Sequence, residues 1–279
     1  MHSNWVDYDP EEQMADARRR AVEAANVLLE KLGLGQLDVA FVMGSGWAEA
    51  ADGIGETKTS VSVADLPGFV VPTAAGHRGE IRAIEREGGT AAIFVGRTHL
   101  YEGYGPLAVA HGVRTAVAAG ARQIVLTNAC GGLNPAFDIG RPVLIRDHIN
   151  FTATTPLIGA NFVDLTDLYS NRLREICRTV DPSLKEGVYG GWFGPAFETP
   201  AEIEMMRVLG CDMVGMSTVL EAIAAHAEGA EVLGLSLVTN QAAGMSGEKL
   251  SGDEVLQVAK AAIPGLRSLL GGIAGSLLG

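Results

Sequence analysis

Short, almost continuously apolar segments alternate along this chain with longer amphipathic ones, and that alternation leaves few folds open to it. Asp38–Met43 (DVAFVM) is the first strand-like run. Others follow at Lys58–Val63, Ile81–Glu87, Ala91–Val95, Gln123–Thr127, Val143–Arg146, Lys185–Phe193, Asp212–Val214 and Val232–Thr239. Helix-length segments lie between many of them, at Pro106–Ala119, Ser170–Thr179, Pro200–Leu209, Val219–Glu228 and from Gly252 onward, after a first helix running from Pro10 to about Gly33. Strands that are apolar on both faces must be covered on both sides. The pattern therefore predicts an α/β fold around a mixed, largely parallel sheet.

Several helices announce their first residue. Asp9-Pro10-Glu11-Glu12 offers a cap followed by a proline, and Thr199-x-x-Glu202, Thr218-x-x-Glu221 and Ser251-x-x-Glu254 have the capping-box spacing. Residues just ahead of such caps sit at strand ends and helix N-termini, where open α/β sheets bind anions.

The chain has 279 residues, 47% of them hydrophobic. That is enough for one sizeable core, and with no linker-like stretch the whole of 1–279 reads as a single domain. The formal charge of −12 argues against nucleic acid or an anionic membrane as partner. Cys130, Cys177 and Cys211 are odd in number and lack a CxxC spacing, so neither a disulfide framework nor structural zinc is expected. The opening MHSNWVDYDPEEQ is too acidic and polar for a signal peptide, which makes the expected location the cytoplasm. The apolar C-terminal run is broken by Pro264, Arg267 and glycines, and reads as a buried or interface helix.

Six stretches could carry chemistry. Gly44-Ser45-Gly46 follows the first strand, but Glu49 stands where a dinucleotide fingerprint needs its third glycine. A nicotinamide site is thereby disfavoured, and the choice lies between a plain turn and a small phosphate loop with Ser45 as donor. In Gly96–Gly103 (GRTHLYEG) an extended chain would put Arg97, His99 and Tyr101 on one face, able to clamp an oxyanion. Thr127–Pro135 (TNACGGLNP) ends a strand in small residues, a loop whose backbone N–H groups a ligand could approach closely. Phe197 and Glu198 precede one capped helix, Ser217 precedes another, and Thr239-Asn240 ends a long apolar strand, where the donor and acceptor of Asn240 suit a purine edge.

Taken in order, GSG, AGHRGEI, GRTHLYEGY, LTNACGGLNP, LIRDHIN, GPAFETPAE, VGMSTVLE and VTN resemble the trimeric purine nucleoside phosphorylases from about Asp38 to Glu254. The resemblance implies a central mixed β-sheet, or distorted barrel, surrounded by helices. It also implies a homotrimer with no metal and no cofactor, inorganic phosphate being a co-substrate. By position, phosphate would be bound by Ser45, His77, Arg97, His99, Asn128, the backbone at Ala129, and Ser217. The nucleoside would meet Tyr101, Phe197, Glu198, Val214, Met216, Thr239 and Asn240, with Phe162 lent by a neighbouring subunit. Asn240, Glu198 and His99 would carry the chemistry, phosphorolysis of inosine, guanosine or their deoxy forms. Three places depart from the family pattern: Gln241 and the loop after it, Cys130 where the family often has alanine, and, most important, Gly252, which falls where many members carry a histidine against the ribose 5′-hydroxyl. A methylthioadenosine phosphorylase and a non-catalytic nucleoside-binding homologue are the alternatives. The first usually holds its base with aspartates, and the second would have little use for Ser45, Arg97, His99, Ser217 and Asn240 together.

Overall fold

Five consecutive buried residues, Val39–Met43, form β1, a strand covered on both faces as its composition requires. The computed structural model describes residues 9–74, 76–246 and 252–279. Around β1 the sheet continues with β2 (Thr57–Ser62), β3 (Glu80–Arg86), β4 (Gly89–Val95), β5 (Gln123–Gly132), β6 (Pro142–Asn150), β7 (Lys185–Gly191), β8 (Met213–Gly215) and β9 (Glu231–Gln241). The strand order is β2-β3-β4-β1-β5-β8-β7-β6-β9, and β9 also pairs with β5. That last pairing closes five strands, β5, β8, β7, β6 and β9, into a small barrel, with β1 to β4 extending from it as an open wing. β1 runs parallel to both β4 and β5, and β5 parallel to β9, while β5–β8 and β6–β9 are antiparallel. The expectation of a mixed sheet closing toward a barrel therefore holds.

The helices are α1 (Pro10–Leu32), α2 (Gly105–Val109), α3 (His111–Ala118), α4 (Asn171–Val180), α5 (Pro200–Val208), α6 (Val219–Ala227) and α7 (Gly252–Leu278). α1 starts where Asp9 accepts hydrogen bonds from the N–H groups of Glu11 and Glu12, and ends at Gly33 in a left-handed conformation. The reciprocal boxes at Thr199/Glu202 and Thr218/Glu221 form as their spacing predicts. The Ser251/Glu254 box lies outside the described residues. α7 is long and apolar enough to cross a membrane, but its stripe of Leu266, Leu269, Leu270, Ile273 and Ala274 is buried in the core together with β1 and β9. Arg267, at the edge of that stripe, donates to the carbonyl of Glu49.

Three local expectations change. Pro106–Ala119 is two helices, with a break at Ala110. TNACGG is the second half of β5 and not a loop: small residues there let β8 and β9 both pair with it, across a register shift at Cys130/Gly131. The chain after β4 does not stay extended, since Leu100–Glu102 forms a 3₁₀ turn.

Candidate active site

The carboxyl ends of β1, β4, β5 and β9 and the amino end of α6 converge on a cavity of about 340 Å³. Its wall includes Ser45, Arg97, His99, Tyr101, Asn128, Ala129, Phe197, Glu198, Val214, Met216, Ser217, Thr239 and Asn240. Clefts of about 540 and 690 Å³ run along α1. They are larger, yet only the smaller cavity gathers buried Arg, His and carboxylate groups around one space, and that convergence marks the site. Among the described residues no group of three or more His, Cys, Asp or Glu could hold a metal ion.

One end is an anion cradle. Gly44 is glycine because a Cβ there would stand 2.3 Å from the Thr127 carbonyl and 2.5 Å from Arg97 Nη1. Trp47, fully buried, donates from Nε1 to the Asn128 carbonyl at 2.8 Å and pins the Gly44–Gly46 turn to β5. Ser45 Oγ lies 3.3 Å from His77 Nε2, while His77 Nδ1 accepts from the Arg97 N–H at 2.8 Å. Nδ1 also lies 3.2 Å from the Arg97 carbonyl; we assign the His77 proton to Nε2 on the shorter N–H contact, so that it faces Ser45 and leaves the Ser45 hydroxyl hydrogen free to donate. Arg97 gives Nε to Glu221 at 3.0 Å and Nη1 to the Thr127 carbonyl, and its buried Nη2 has no partner. An unpaired charged donor inside a protein is costly, so Nη2 is the donor that an anion would satisfy.

His99 stacks on Tyr101, ring centroids 4.7 Å apart and planes 14° off parallel. The 3₁₀ turn thus brings these two rings together, where strand alternation was expected to do so. His99 Nδ1 lies 3.3 Å from Glu102, whose other oxygen accepts from the N–H and hydroxyl of Thr73 at 2.7 and 2.6 Å. Burial works against the Glu102 charge, but the bonds from Thr73 and His99 outweigh it and hold the carboxyl below its usual range. Burial, then the charge of Arg97, pushes both His77 and His99 down to about 4, so both rings are neutral at pH 7.

Ser217 and the start of α6 complete the cradle. Thr218 sits at φ +74°, a conformation rare outside glycine, and is held there by its N–H to Glu221 at 3.1 Å and by Asn128 Nδ2 on its hydroxyl at 2.8 Å. Asn128 also lines the cavity, and with Nδ2 on Thr218 and Oδ1 accepting from Ser236 its amide keeps a second N–H. A buried mid-strand amide must be satisfied, and this one positions Thr218 beside Ser217.

The other end is a slot. Gly194 has φ +74°, and a Cβ on it would meet Met216 Sδ at 2.5 Å and the Tyr101 ring at 3.0 Å. Phe197 and Val214 flank the slot, and Glu198, 7% exposed, is pushed above the usual carboxylate range by burial. Thr239 Oγ1 is 2.9 Å from Asn240 Oδ1, which orients the amide, and Asn240 Nδ2 donates to the Gln241 carbonyl. Phe162 is not part of this cavity. It is 95% exposed on a surface segment whose ends are tied to the body by Arg114 on the Pro156 carbonyl and His226 on the Asp164 carbonyl. Glu49 lies in a short 3₁₀ helix away from the cradle.

Glu102, Thr218 and Glu221 are positioning groups that motif reading did not place in the site, the last two being read only as a helix cap. The capping-box spacing located Glu221, but its partner Arg97 lies 124 residues away, and no local signal carries that pairing.

A barrel that gathers an anion cradle and an apolar slot with polar ends at the edge of one α/β sheet is the architecture of a phosphorylase. The chain belongs to the phosphorylase superfamily, whose family model matches residues 38–273. Within it the chain is a member of the purine nucleoside phosphorylase family. It is 53% identical to the purine nucleoside phosphorylase of Mycobacterium tuberculosis over 92% of this chain and 97% of that one. It is also 53% identical to the enzyme of that name from a Cellulomonas species, over 90% and 91%. The crystal structure of isoform 2 of the Schistosoma mansoni enzyme, in complex with cytosine and ribose-1-phosphate, superposes with a TM-score of 0.83 at 30% identity, covering 92% of this chain and 95% of that one.

Proposed function

We propose that the chain splits 6-oxopurine nucleosides, inosine, guanosine and their 2′-deoxy forms, with inorganic phosphate, giving free base and ribose 1-phosphate for purine salvage. The observation that carries this reading is the single cavity whose cradle (Ser45, Arg97, His99, Ser217) opens directly onto a slot ending in Glu198 and Asn240. The ribose 1-phosphate in the Schistosoma complex supports the same reaction.

In this mechanism a phosphate oxygen attacks the anomeric carbon as the glycosidic C–N bond breaks, and the bonding pair leaves on the purine. The ribose passes through an oxocarbenium-like state, stabilised by the phosphate held beside it. Asn240 donates to N7 as negative charge grows there, an interaction stronger in the transition state than in the ground state. Glu198 accepts from N1–H, Phe197 and Val214 cover the base, and Tyr101 and Met216 lie against the ribose. Phosphate is the co-substrate and no further cofactor takes part. Inosine cleavage is expected to require phosphate and to yield ribose 1-phosphate; equal turnover in phosphate-free buffer would identify a hydrolase.

The proposed assembly is a homotrimer in the cytoplasm, each Phe162 capping the ribose of a neighbour. Three buried free thiols, Cys130, Cys177 and Cys211, suit a reducing compartment. A heterologous contact that closes after three copies makes such a ring. Light scattering should show the trimer, and Phe162→Ala should raise KM for inosine with the trimer intact. A fully active monomer contradicts this assembly.

α7 begins at Gly252, and Val255 in its first turn lines the cavity. Without a side chain at 252 the ribose 5′-hydroxyl meets no imidazole there. A hydrogen bond between neutral groups contributes about 0.5–1.5 kcal/mol net, so its absence changes rates by about tenfold at most. 5′-Deoxyinosine is therefore expected to be nearly as good a substrate as inosine, with Gly252→His restoring discrimination. A hundredfold loss in kcat/KM on removing the hydroxyl from the wild-type substrate would refute this.

A further inference from the structure

We propose that phosphate enters this site together with one proton, because Glu221 cancels the charge of Arg97 and leaves the cradle with no net positive side-chain charge. The proposal rests on the phosphate reading above.

Arg97 and Glu221 are each 3% exposed in their side chains, and Arg97 Nε stands 2.9 Å from Glu221 Oε2. So close a buried pair acts on its surroundings as a dipole and not as a cation. A second carboxylate, Glu102, touches the cradle through His99, 3.3 Å from its Nδ1, and the bonds from Thr73 and His99 favour its ionised form. The two imidazoles do not make up the deficit. His77 holds its proton toward Ser45. His99 Nδ1 faces the Glu102 carboxylate at 3.3 Å, and a proton assigned there leaves a lone pair on Nε2. Burial and Arg97 disfavour a second proton on either ring while the site is empty.

The remaining titratable neighbours add no positive charge. Tyr101, stacked on His99, and Tyr189, whose hydroxyl accepts from the Ser217 N–H, both have phenols raised by burial and are neutral. Glu80, behind Arg97, is paired with Arg82 at 3.2 Å, and Arg78 beside His77 is exposed. Among the described residues the count is one cation against two carboxylates. The amino end of α6 supplies only about half a charge.

A phosphate dianion placed here meets net repulsion, and one of its oxygens meets the His99 lone pair. A proton between His99 Nε2 and that oxygen removes both conflicts. Inorganic phosphate titrates near neutrality, so the species that fits is abundant in mildly acidic solution and must be formed by proton uptake in mildly alkaline solution. The imported proton returns to solvent with the products, and the overall reaction is unchanged.

Titration calorimetry of inorganic phosphate into the intact protein, in mildly alkaline buffers of different ionisation enthalpy, reads the proton count directly. The expected result is uptake of about one proton per phosphate, with Kd rising about tenfold per pH unit in that range. Binding with equal heat in every buffer overturns the proposal while leaving the phosphorolysis reading intact. No binding at all, together with phosphate-independent cleavage, overturns both. Glu221→Gln keeps an acceptor for the Thr218 N–H but frees the Arg97 charge, so uptake should fall toward zero and alkaline affinity should rise by about tenfold or more. A Glu221 that merely braced Arg97 would give weaker binding with uptake unchanged. Should E221Q fail to fold, as judged by circular dichroism, Glu102→Gln removes the other carboxylate and should lower the uptake by the same logic. Unchanged uptake in either folded variant overturns the proposal.

Discussion

Adenosine is expected to be cleaved about 10⁴-fold less efficiently than inosine, measured as kcat/KM, because the base slot ends in a buried carboxylate. Glu198 is 7% exposed and lines the slot opposite Asn240. In the proposed pose it accepts from N1–H of a 6-oxopurine. Neutral adenine carries a lone pair at N1, so the buried carboxylate would face an acceptor and neither group would be satisfied by the other. The sign of the pH dependence follows from the direction of the Glu198 shift. Burial raises its pKa, so its protonated fraction grows as the solution becomes mildly acidic, sooner than for an ordinary glutamate. A protonated Glu198 can donate to adenine N1, so the inosine-to-adenosine ratio should shrink as pH falls and widen as it rises. Glu198→Gln, able to donate and accept at all pH values, should flatten that dependence. Equal turnover of the two nucleosides would remove Glu198 from this role and return a 6-aminopurine substrate to consideration.

Asn240→Ala is expected to lower kcat for inosine by about 10²- to 10³-fold, the usual effect of deleting one donor aimed at developing negative charge. Thr239 Oγ1 fixes the carbonyl end of the amide, and Nδ2, which donates to the Gln241 carbonyl, keeps a second N–H for the base. The KM for phosphate should barely change, since Asn240 lies at the far end of the cavity from the Ser45 and Arg97 cradle. Asn240→Asp should be at least as damaging, because it sets a second carboxylate against a purine that is becoming an anion. A variant lacking the amide but retaining wild-type kcat would show that N7 is stabilised by another group.

The central strands, β1 and β9 above all, were legible as apolar runs, since burial on both faces removes the need for polar positions, whereas β2 (TKTSVS) is exposed at all but Val61 and is marked by its β-branched residues instead. How the strands close was not legible. The β5–β9 ladder joins segments more than a hundred residues apart, with Asn128 and Ser236 paired across it, and periodicity within either strand says nothing about its partner. The site divides along the same line. Ser45, Arg97, His99, Ser217, Glu198 and Asn240 sit at strand ends and ahead of helix caps, which local sequence reveals, and all line one cavity. TNACGG read as a loop because small residues and glycines are loop-like by themselves; they are strand here because two neighbours crowd them. The same crowding engages the Asn128 side chain, which local reading left free.

Closure of the barrel by β9 also governs when this chain becomes an enzyme. β5 is complete by Gly132, but the partner that seals its outer edge begins at Glu231. During synthesis a strand reading QIVLTNACGG therefore waits with unpaired backbone groups along that edge while about a hundred further residues are made. In that interval Ala129 and Asn128 have no floor beneath them and Asn240 does not yet exist. A ribosome-bound chain ending anywhere before β9 should hold most of its helices and none of its activity, and its β5 edge is the surface on which two such chains would pair. The last strand thus acts as a completion signal: recognition, catalysis and protection from self-association arrive in the same step.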